Sequence, residues 1–198
     1  MSRADAPMIV IAAGGDGTRM GGDKPLRRLN GQRLIDRMID WARGHSDAVA
    51  LAVRAGSDEW GTGLPVLTDT HDGIGPISAL ASAMHGARVL GRETVLLLGC
   101  DMPFLPDDLV LRLQASLAGH AASLPTSAGR LHPMAGLWRC DPDGIDAWIA
   151  GGGQSLWRYA RHAGMVEVAW TETPDPFANV NDQLALAEAE ERLKKAAR

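Results

Sequence analysis

The sequence predicts a three-layer α/β fold with a mostly parallel central sheet. Short apolar runs that fit buried strands alternate along the chain with segments of helical periodicity. The strand candidates are apolar on both faces, which is typical of strands covered by helices on both sides of a sheet. Because ligands bind beyond the carboxyl ends of the strands in such sheets, the residues that follow each strand are the candidates for function.

The first half of the chain predicts strands at 8–13, 48–53, 64–67 and 94–98, with helices at 34–42 and from 76. Glycines end the first strand, and apolar residues recur at helical spacing from Leu34 until Gly44. Pro65 places the third strand at a sheet edge, and Pro76 suits the first turn of the second helix. Between the first strand and the first helix, Asn30-Gly31 predicts a turn.

The second half predicts a helix opened by Pro106, strands at 121–124, 134–138 and 166–170, and helices at 143–149, 155–162 and 182–195. In the final helix Glu188 and its acidic neighbours precede Lys194 and Lys195, the charge order that a helix dipole favours. We find no internal repeat and no low-complexity linker. The sequence therefore predicts one domain over residues 1–198.

Composition excludes several classes of protein. The 198 residues are 45% apolar, enough for a continuous core, and 20 Lys and Arg against 24 Asp and Glu give a net charge of −4. We therefore expect no nucleic-acid partner. No apolar run approaches the roughly 20 residues that span a membrane, and no apolar signal segment opens the chain, so we expect no membrane association and a cytoplasmic location. Cys100 and Cys140 have neither disulfide nor zinc-site spacing.

A glycine-rich loop follows the first strand, with Gly14, Gly15 and three further glycines within nine positions. It fails the Walker pattern because Asp23 precedes Lys24 and Pro25 follows it, and it fails the dinucleotide pattern because Met20 occupies the third glycine position. Glycines let main-chain amides approach an anion, and Arg19 and Lys24 add positive charge. The loop therefore predicts a polyphosphate site, although a glycine-rich turn with two solvated cations also fits.

Two acids follow predicted strands. Asp101 comes directly after the most apolar strand, where an unpaired carboxylate would be costly to bury, so it is expected to face a cation, a donor or solvent. Mg²⁺ suits this position because it binds one or two protein carboxylates together with phosphate oxygens and water. Asp69 follows the third strand, where a nucleotide contact, a metal contact and a plain turn residue all fit.

Taken together, these segments resemble the molybdenum cofactor guanylyltransferases over nearly the whole chain. The resemblance rests on the glycine loop with Arg19-Met20-Gly21 and Asp23-Lys24, then Asp69, Gly75-Pro76, Cys100-Asp101-Met102-Pro103, His132-Pro133 and Asn179-Val180-Asn181. It implies a Rossmann-like nucleotidyltransferase fold, Mg²⁺, and transfer of GMP from GTP to molybdopterin or molybdenum-molybdopterin. Partners would then include GTP, the pterin and molybdoenzyme-specific chaperones.

Residue by residue, the resemblance implies a nucleotide site of Ala12, Ala13, Gly14, Gly15, Lys24, Ala52, Asp69 and Asp101. Asp101 would bind the metal, and Asp101, Lys24 and Arg19 would be catalytic. His132, Asn179 and Asn181 would lie toward molybdopterin, although on the residues alone they also fit turn positions. Ala12 replaces the usual leucine, and Ala52 replaces an asparagine found in some members, so contact at Ala52 would come from the main chain.

Two alternative functions stay open at this point. Related cytidylyltransferases share the loop, the Asp-Met-Pro and a His-Pro, but the double glycine Gly14-Gly15 and the Asn-Val-Asn segment favour GTP over CTP. A non-catalytic nucleotide or cofactor carrier would use the same loop. Release of pyrophosphate separates the enzyme from the carrier.

Overall fold

A computed structural model describes residues 6–13, 24–54, 60–69, 71 and 73–196. The strands are β1 (Met8–Ala12), β2 (Arg28–Leu29), β3 (Gln32–Arg33), β4 (Val49–Val53), β5 (Val66–Thr68), β6 (Thr94–Gly99), β7 (Ala122–Ser127), β8 (Arg130–Leu131), β9 (Leu137–Arg139) and β10 (Met165–Trp170). The helices are α1 (Leu34–His45), α2 (Pro76–Val89), α3 (Leu109–Ser116), α4 (Pro142–Ala150), α5 (Leu156–Ala163) and α6 (Gln183–Ala196). None of the described helices is both long and apolar enough to cross a membrane.

The central sheet has eight strands and is mostly parallel, as predicted. Its order is β10-β7-β9-β6-β1-β4-β5, with β8 added to β7. β6, β1, β4 and β5 run parallel to one another, and β7 runs parallel to β10. β9 runs antiparallel between β6 and β7. β7 and β10 therefore point the same way as β6, and the carboxyl ends of these six parallel strands lie at one edge, the carboxyl edge.

The two faces of the sheet carry separate halves of the core. Alternate residues of β1 enter opposite halves: Ile9 and Ile11 pack with α1 and α3, whereas Met8 and Val10 pack with α2, α4 and α5. These four side chains are at most 3% exposed. This two-sided burial explains the continuous apolar runs in the sequence and gives the predicted three layers.

Local chemistry accounts for the turns and for two differences from prediction. Asn30 and Gly31 both have positive φ, as a tight hairpin turn requires, and they join β2 to β3. β5 lies at the sheet edge as predicted. The helix predicted from Pro106 begins only at Leu109, because residues 106–108 form a turn in which Leu109 N donates to Pro106 O. The strand predicted at 134–138 begins at Leu137, after a 3₁₀ turn at Pro133–Ala135.

A third, small apolar cluster attaches the last helix to the rest of the chain. Leu29 and Leu34, near the β2–β3 hairpin, pack with Val180 and with Ala189 of α6. Between β10 and α6, residues 174–181 cross the carboxyl edge without regular secondary structure. We call this segment the C-terminal strap, and its course brings it to the candidate site.

Candidate active site

A cavity of about 270 Å³ lies at the carboxyl ends of β1, β4, β5 and β6. We call it the Lys24 cavity. It brings together residues that the sequence distributes over six segments: Ala12, Ala13, Lys24, Ala52, Asp69, Asp101 and Asn179. The cavity lies here because these four strands are parallel, so the residues that follow them meet at the same edge of the sheet.

Small residues form the floor of the cavity next to β1 and β4. Ala13 N donates to Ala52 O at 3.0 Å, which extends the pairing of β1 with β4 to the cavity wall. Ala13 and Ala52 are almost fully buried by their own neighbours. Both residues line the cavity, and their side chains are single methyl groups that take up little of its space.

Lys24 and Asp101 form an ion pair on the β6 side of the cavity. Lys24 begins a 3₁₀ turn at Lys24–Leu26, and its Nζ lies 2.5 Å from Asp101 Oδ2. The two side chains are only 17% and 15% exposed, so solvent screens the pair weakly. Lys24 Nζ also donates to Asn181 Oδ1 at 2.6 Å, and Asp101 O accepts a hydrogen bond from Val180 N at 2.8 Å. The C-terminal strap therefore contacts both members of the pair.

The two residues before Asp101 differ in what they do: Gly99 leaves room for the Asp101 carboxylate, and Cys100 is not a nucleophile. A Cβ at Gly99 would lie 2.7 Å from Asp101 Oδ1, so the carboxylate occupies the space that a side chain at Gly99 would need. Burial, with the negative charge of Asp101, raises the pKa of the Cys100 thiol to about 12. A thiol of that pKa stays protonated near neutrality and packs as an apolar group.

The opposite side of the cavity is formed by the ends of β4 and β5 and by the start of α2. Asp69 N donates to Val53 O at 2.9 Å, which places Asp69 beside the cavity. Gly75 caps α2 with φ 76°, and Gly75, Pro76 and Ala79 line the cavity. The amino-terminal end of a helix favours anionic groups, so this wall adds positive potential to that of Lys24.

Sequence reasoning missed several residues that line this cavity. Arg54 follows β4 directly, and His71 and Met134 complete the wall. The rule that residues after strand ends form the site would have found Arg54. Nothing in the local sequence indicates Met134, because it reaches the cavity from the antiparallel part of the sheet.

The other predicted residues lie elsewhere. His132 does not line the Lys24 cavity: its Nε2 is 2.8 Å from Ser127 Oγ, and its ring stacks on Phe177 with centroids 5.0 Å apart. Burial lowers the pKa of His132 below 6.5, against the opposing charge of Asp175. Asn181 reaches the site through Lys24. Gly14, Gly15 and Arg19 lie outside the described residues.

A second, more open cavity of about 860 Å³ lies at the carboxyl ends of β7 and β10. We call it the Ser127 cavity. Ser127 and Asp175 line it, together with Arg130, Trp157 and Arg161. The Arg161 guanidinium lies 4.3 Å from the centre of the Trp157 ring, an arrangement that holds a cation beside an aromatic face. Because β7 runs parallel to β6, this cavity shares the carboxyl edge with the Lys24 cavity.

The chemistry of Asp101 fits a hard divalent cation bound together with phosphate. Its carboxylate lines the Lys24 cavity and supplies the oxygen ligands that Mg²⁺ prefers. Among the described residues no group of three or more His, Cys, Asp and Glu side chains could hold a metal ion. A metal at Asp101 would therefore need most of its ligands from substrate and water, as is typical of Mg²⁺ bound with nucleotides.

Together, the sheet topology, the helix amino terminus and the Lys24–Asp101 pair are typical of an α/β enzyme that binds a nucleoside triphosphate. The profile of the MobA-like NTP transferase domain matches residues 9–166. The chain belongs to this family and is a nucleotidyltransferase.

Relatives cover almost the whole chain. It is 40% identical over 189 residues to the molybdenum cofactor guanylyltransferase of Rhodobacter capsulatus, covering 94% of this chain and 96% of the relative. It is 38% identical over 186 residues to that of Acidiphilium cryptum (strain JF-5), covering 91% and 92%. The crystal structure of molybdopterin-guanine dinucleotide biosynthesis protein A from Archaeoglobus fulgidus has the same fold, with a TM-score of 0.74 at 21% identity, covering 94% of this chain and 98% of that one.

Proposed function

We propose that this protein transfers GMP from GTP to molybdopterin or molybdenum-molybdopterin, which yields molybdopterin guanine dinucleotide and pyrophosphate. The observation that carries the proposal is the Lys24–Asp101 pair in a cavity at the carboxyl edge. The similarity to molybdenum cofactor guanylyltransferases over more than nine tenths of the chain supports the choice of substrates. Residues 1–198 act as one nucleotidyltransferase domain in this proposal.

In the reaction, a terminal phosphate oxygen of molybdopterin attacks the α-phosphorus of GTP. The bond from the α-phosphorus to the oxygen bridging to the β-phosphorus breaks, and that oxygen leaves with pyrophosphate. Such a step needs orientation of the phosphates and stabilisation of charge more than a protein nucleophile. The protonated Cys100 thiol agrees with this requirement, since no covalent intermediate on it is needed.

The residues of the Lys24 cavity then have separate roles. Lys24 neutralises the charge that grows on the departing pyrophosphate, with the amino-terminal end of α2 adding positive potential. From the sequence we propose that Arg19 and the main-chain amides at Gly14 and Gly15 also bind phosphate. Asp101 would hold Mg²⁺, which would supply positive charge to stabilise the phosphates. Ala12, Ala13, Ala52 and Asp69 form the rest of the nucleotide site.

We place the pterin substrate toward the Ser127 cavity, which lies at the same edge beyond β6. Arg130 and Arg161 supply cations for an anionic substrate, and Trp157 supplies an aromatic face. Asn179 lines the Lys24 cavity from the strap, and His132 bonds to Ser127 of the second cavity. We further propose a cytoplasmic location and delivery of the product to molybdoenzyme-specific chaperones.

A paired assay tests the proposed function. Purified protein is incubated with GTP or CTP, with and without molybdopterin and Mg²⁺, and pyrophosphate is measured. We expect pyrophosphate only when GTP, molybdopterin and Mg²⁺ are all present. Release with CTP in place of GTP would show a cytidylyltransferase, and GTP binding without release would show a carrier.

A further inference from the structure

We propose that Asn181 is a positioning residue for Lys24 and that the C-terminal strap exists in part to hold it there. The resemblance implies that Asn181 lies toward molybdopterin, whereas in the structure its Oδ1 accepts a hydrogen bond from Lys24 Nζ. The inference rests on the proposed function, because it takes Lys24 to bind the phosphates of GTP.

The ammonium group of Lys24 has three N–H donors. Asp101 Oδ2 accepts one at 2.5 Å, and Asn181 Oδ1 accepts another at 2.6 Å. Among the described residues these are the acceptors found for Lys24 Nζ, and we take the third donor to bind a phosphate oxygen. With two acceptors fixed, the flexible lysine side chain loses less conformational entropy when phosphate binds, which raises its affinity.

The two acceptors differ in charge, and that difference gives Asn181 its own role. Asp101 is also the proposed metal ligand, so its carboxylate serves both Lys24 and the cation. Asn181 is neutral, so it orients the ammonium group without cancelling the positive charge that phosphate requires. A second carboxylate at this position would weaken the attraction between Lys24 and the triphosphate.

The strap is anchored on both sides of the site, so Asn181 has a fixed position although it is exposed. At one end, Asp175 Oδ1 accepts hydrogen bonds from Ser127 Oγ at 2.7 Å and from Phe177 N at 2.8 Å. Phe177 is 1% exposed and stacks on His132. At the other end, Val180 is buried in the third apolar cluster, and its N–H donates to Asp101 O.

The last helix adds a further anchor to the strap. Arg192 of α6 donates to Asp175 O at 2.8 Å, and its guanidinium lies 3.9 Å from the centre of the Phe104 ring. Residues 174–180 are therefore held by β7, the main core and α6. The strap sets the position of Asn181 relative to Lys24 from contacts that involve neither residue.

A double-mutant cycle on nucleotide binding tests the role of Asn181. The dissociation constant of metal-free GTP is measured by fluorescence with a labelled analogue for wild type, Asn181→Ala, Lys24→Ala and the double variant. We expect Asn181→Ala to weaken GTP binding about fivefold to tenfold, as for the loss of one ordinary hydrogen bond, because Asn181 acts on GTP only through Lys24. In the Lys24→Ala background the same change should have no further effect, because Asn181 acts through Lys24.

Gln183→Ala is the matched control, since it removes an exposed amide two residues away at the start of α6. Its GTP affinity and thermal midpoint should equal those of wild type. Asn181→Ala should also keep the wild-type midpoint and the wild-type KM for molybdopterin. A raised KM for molybdopterin with unchanged GTP affinity would overturn the proposal and place Asn181 against the pterin.

Additive losses in the double variant would also overturn the positioning role. The cycle is repeated with CTP, so an error in the choice of base leaves the test of Asn181 intact. Failure of the proposed function shows separately, as a wild type that binds GTP but releases no pyrophosphate. A wild type that binds neither triphosphate would overturn both proposals.

Discussion

The Lys24 cavity and the Ser127 cavity lie at the same edge of one sheet, but different contacts form them. Parallel strand ends and small residues form the first, with a weakly solvated ion pair at its wall. The second lies beyond the antiparallel strand β9, where Ser127, His132 and Asp175 form a hydrogen-bonded network against Phe177. The first therefore depends on a lysine–carboxylate ion pair. The second depends on a hydrogen-bonded serine, histidine and aspartate beside stacked rings, so the two should respond differently to mutation and pH.

The largest effect is expected for Asp101→Asn, which keeps the shape of the Lys24 cavity but removes a charge. Guanylyl transfer should fall at least about 100-fold, because the charge that pairs with Lys24 and would hold Mg²⁺ is lost. Circular dichroism should show the wild-type fold. Transfer at a near-normal rate in this variant would contradict the role given to Asp101.

A smaller loss is expected for Gly99→Ala, which adds a methyl group where the Asp101 carboxylate lies. The 2.7 Å approach to Oδ1 forces that side chain to move, and misplacement of a catalytic group by about 1 Å costs up to about 100-fold in rate. The measurement is kcat with GTP and molybdopterin. Gly44→Ala is the control, since a methyl group there meets nothing within 4 Å, and its kcat should be unchanged.

Acidification should test the network beside the Ser127 cavity. Burial lowers the pKa of His132 in the folded protein below the ordinary 6.5. Between the two values the unfolded chain binds more protons, so the free energy of unfolding decreases as the pH falls through that window. The stability that neutral His132 contributes is fully present above pH 6.5 and is lost as the pH falls below the pKa of His132 in the folded state.

Urea unfolding of wild type and His132→Gln at about pH 7.5 and about pH 5.5 measures this effect. The variant should lose less stability on acidification than wild type does. His120→Gln removes an imidazole outside the network and should keep the wild-type pH dependence. Equal losses in wild type and His132→Gln would show that His132 does not couple to folding.

The smallest effect is expected from thiol reagents. With a pKa of about 12, only roughly 10⁻⁴ of the Cys100 thiol is ionised at pH 8, and the side chain is 7% exposed. In a Cys140→Ser background the native protein should therefore react with a thiol reagent only after unfolding. Rapid reaction of the folded protein, with loss of GTP binding, would show that Cys100 is accessible from the cavity.

Much of the sheet around the Lys24 cavity, formed by β1, β4, β5 and β6, could be predicted from sequence. The patterns that indicate it involve neighbouring residues. The strands β1, β4 and β6 are continuous apolar runs, and Asp101 and Asp69 lie within two residues of the ends of β6 and β5. The edge position of β5 could be predicted from one proline. The predicted start of α3 at Pro106 was wrong, because a proline fits a turn before a helix as well as the first turn of the helix itself.

The sheet around the Ser127 cavity, formed by β7, β9 and β10, could be predicted only in part. The sequence indicated strands near β7, β9 and β10, but nothing local shows that β9 runs antiparallel between β6 and β7. The bond between Ser127 and Asp175 joins residues 48 positions apart, and no motif indicates it. His132 and Asn181 were singled out by resemblance, which implied a place toward molybdopterin but not the contacts that these residues make.

By itself, the sequence determined the class of fold, the glycine-rich loop after the first strand and the acids at strand ends, because hydrophobic periodicity and strand-end position are properties of neighbouring residues. Only the tertiary structure decided that Lys24 bonds to both Asp101 and Asn181, residues 77 and 157 positions away. These residues come together because the core and the strap bring distant segments of the chain into contact. Burial of Phe177 and Val180 fixes the course of the strap, and no local sequence pattern indicates that course.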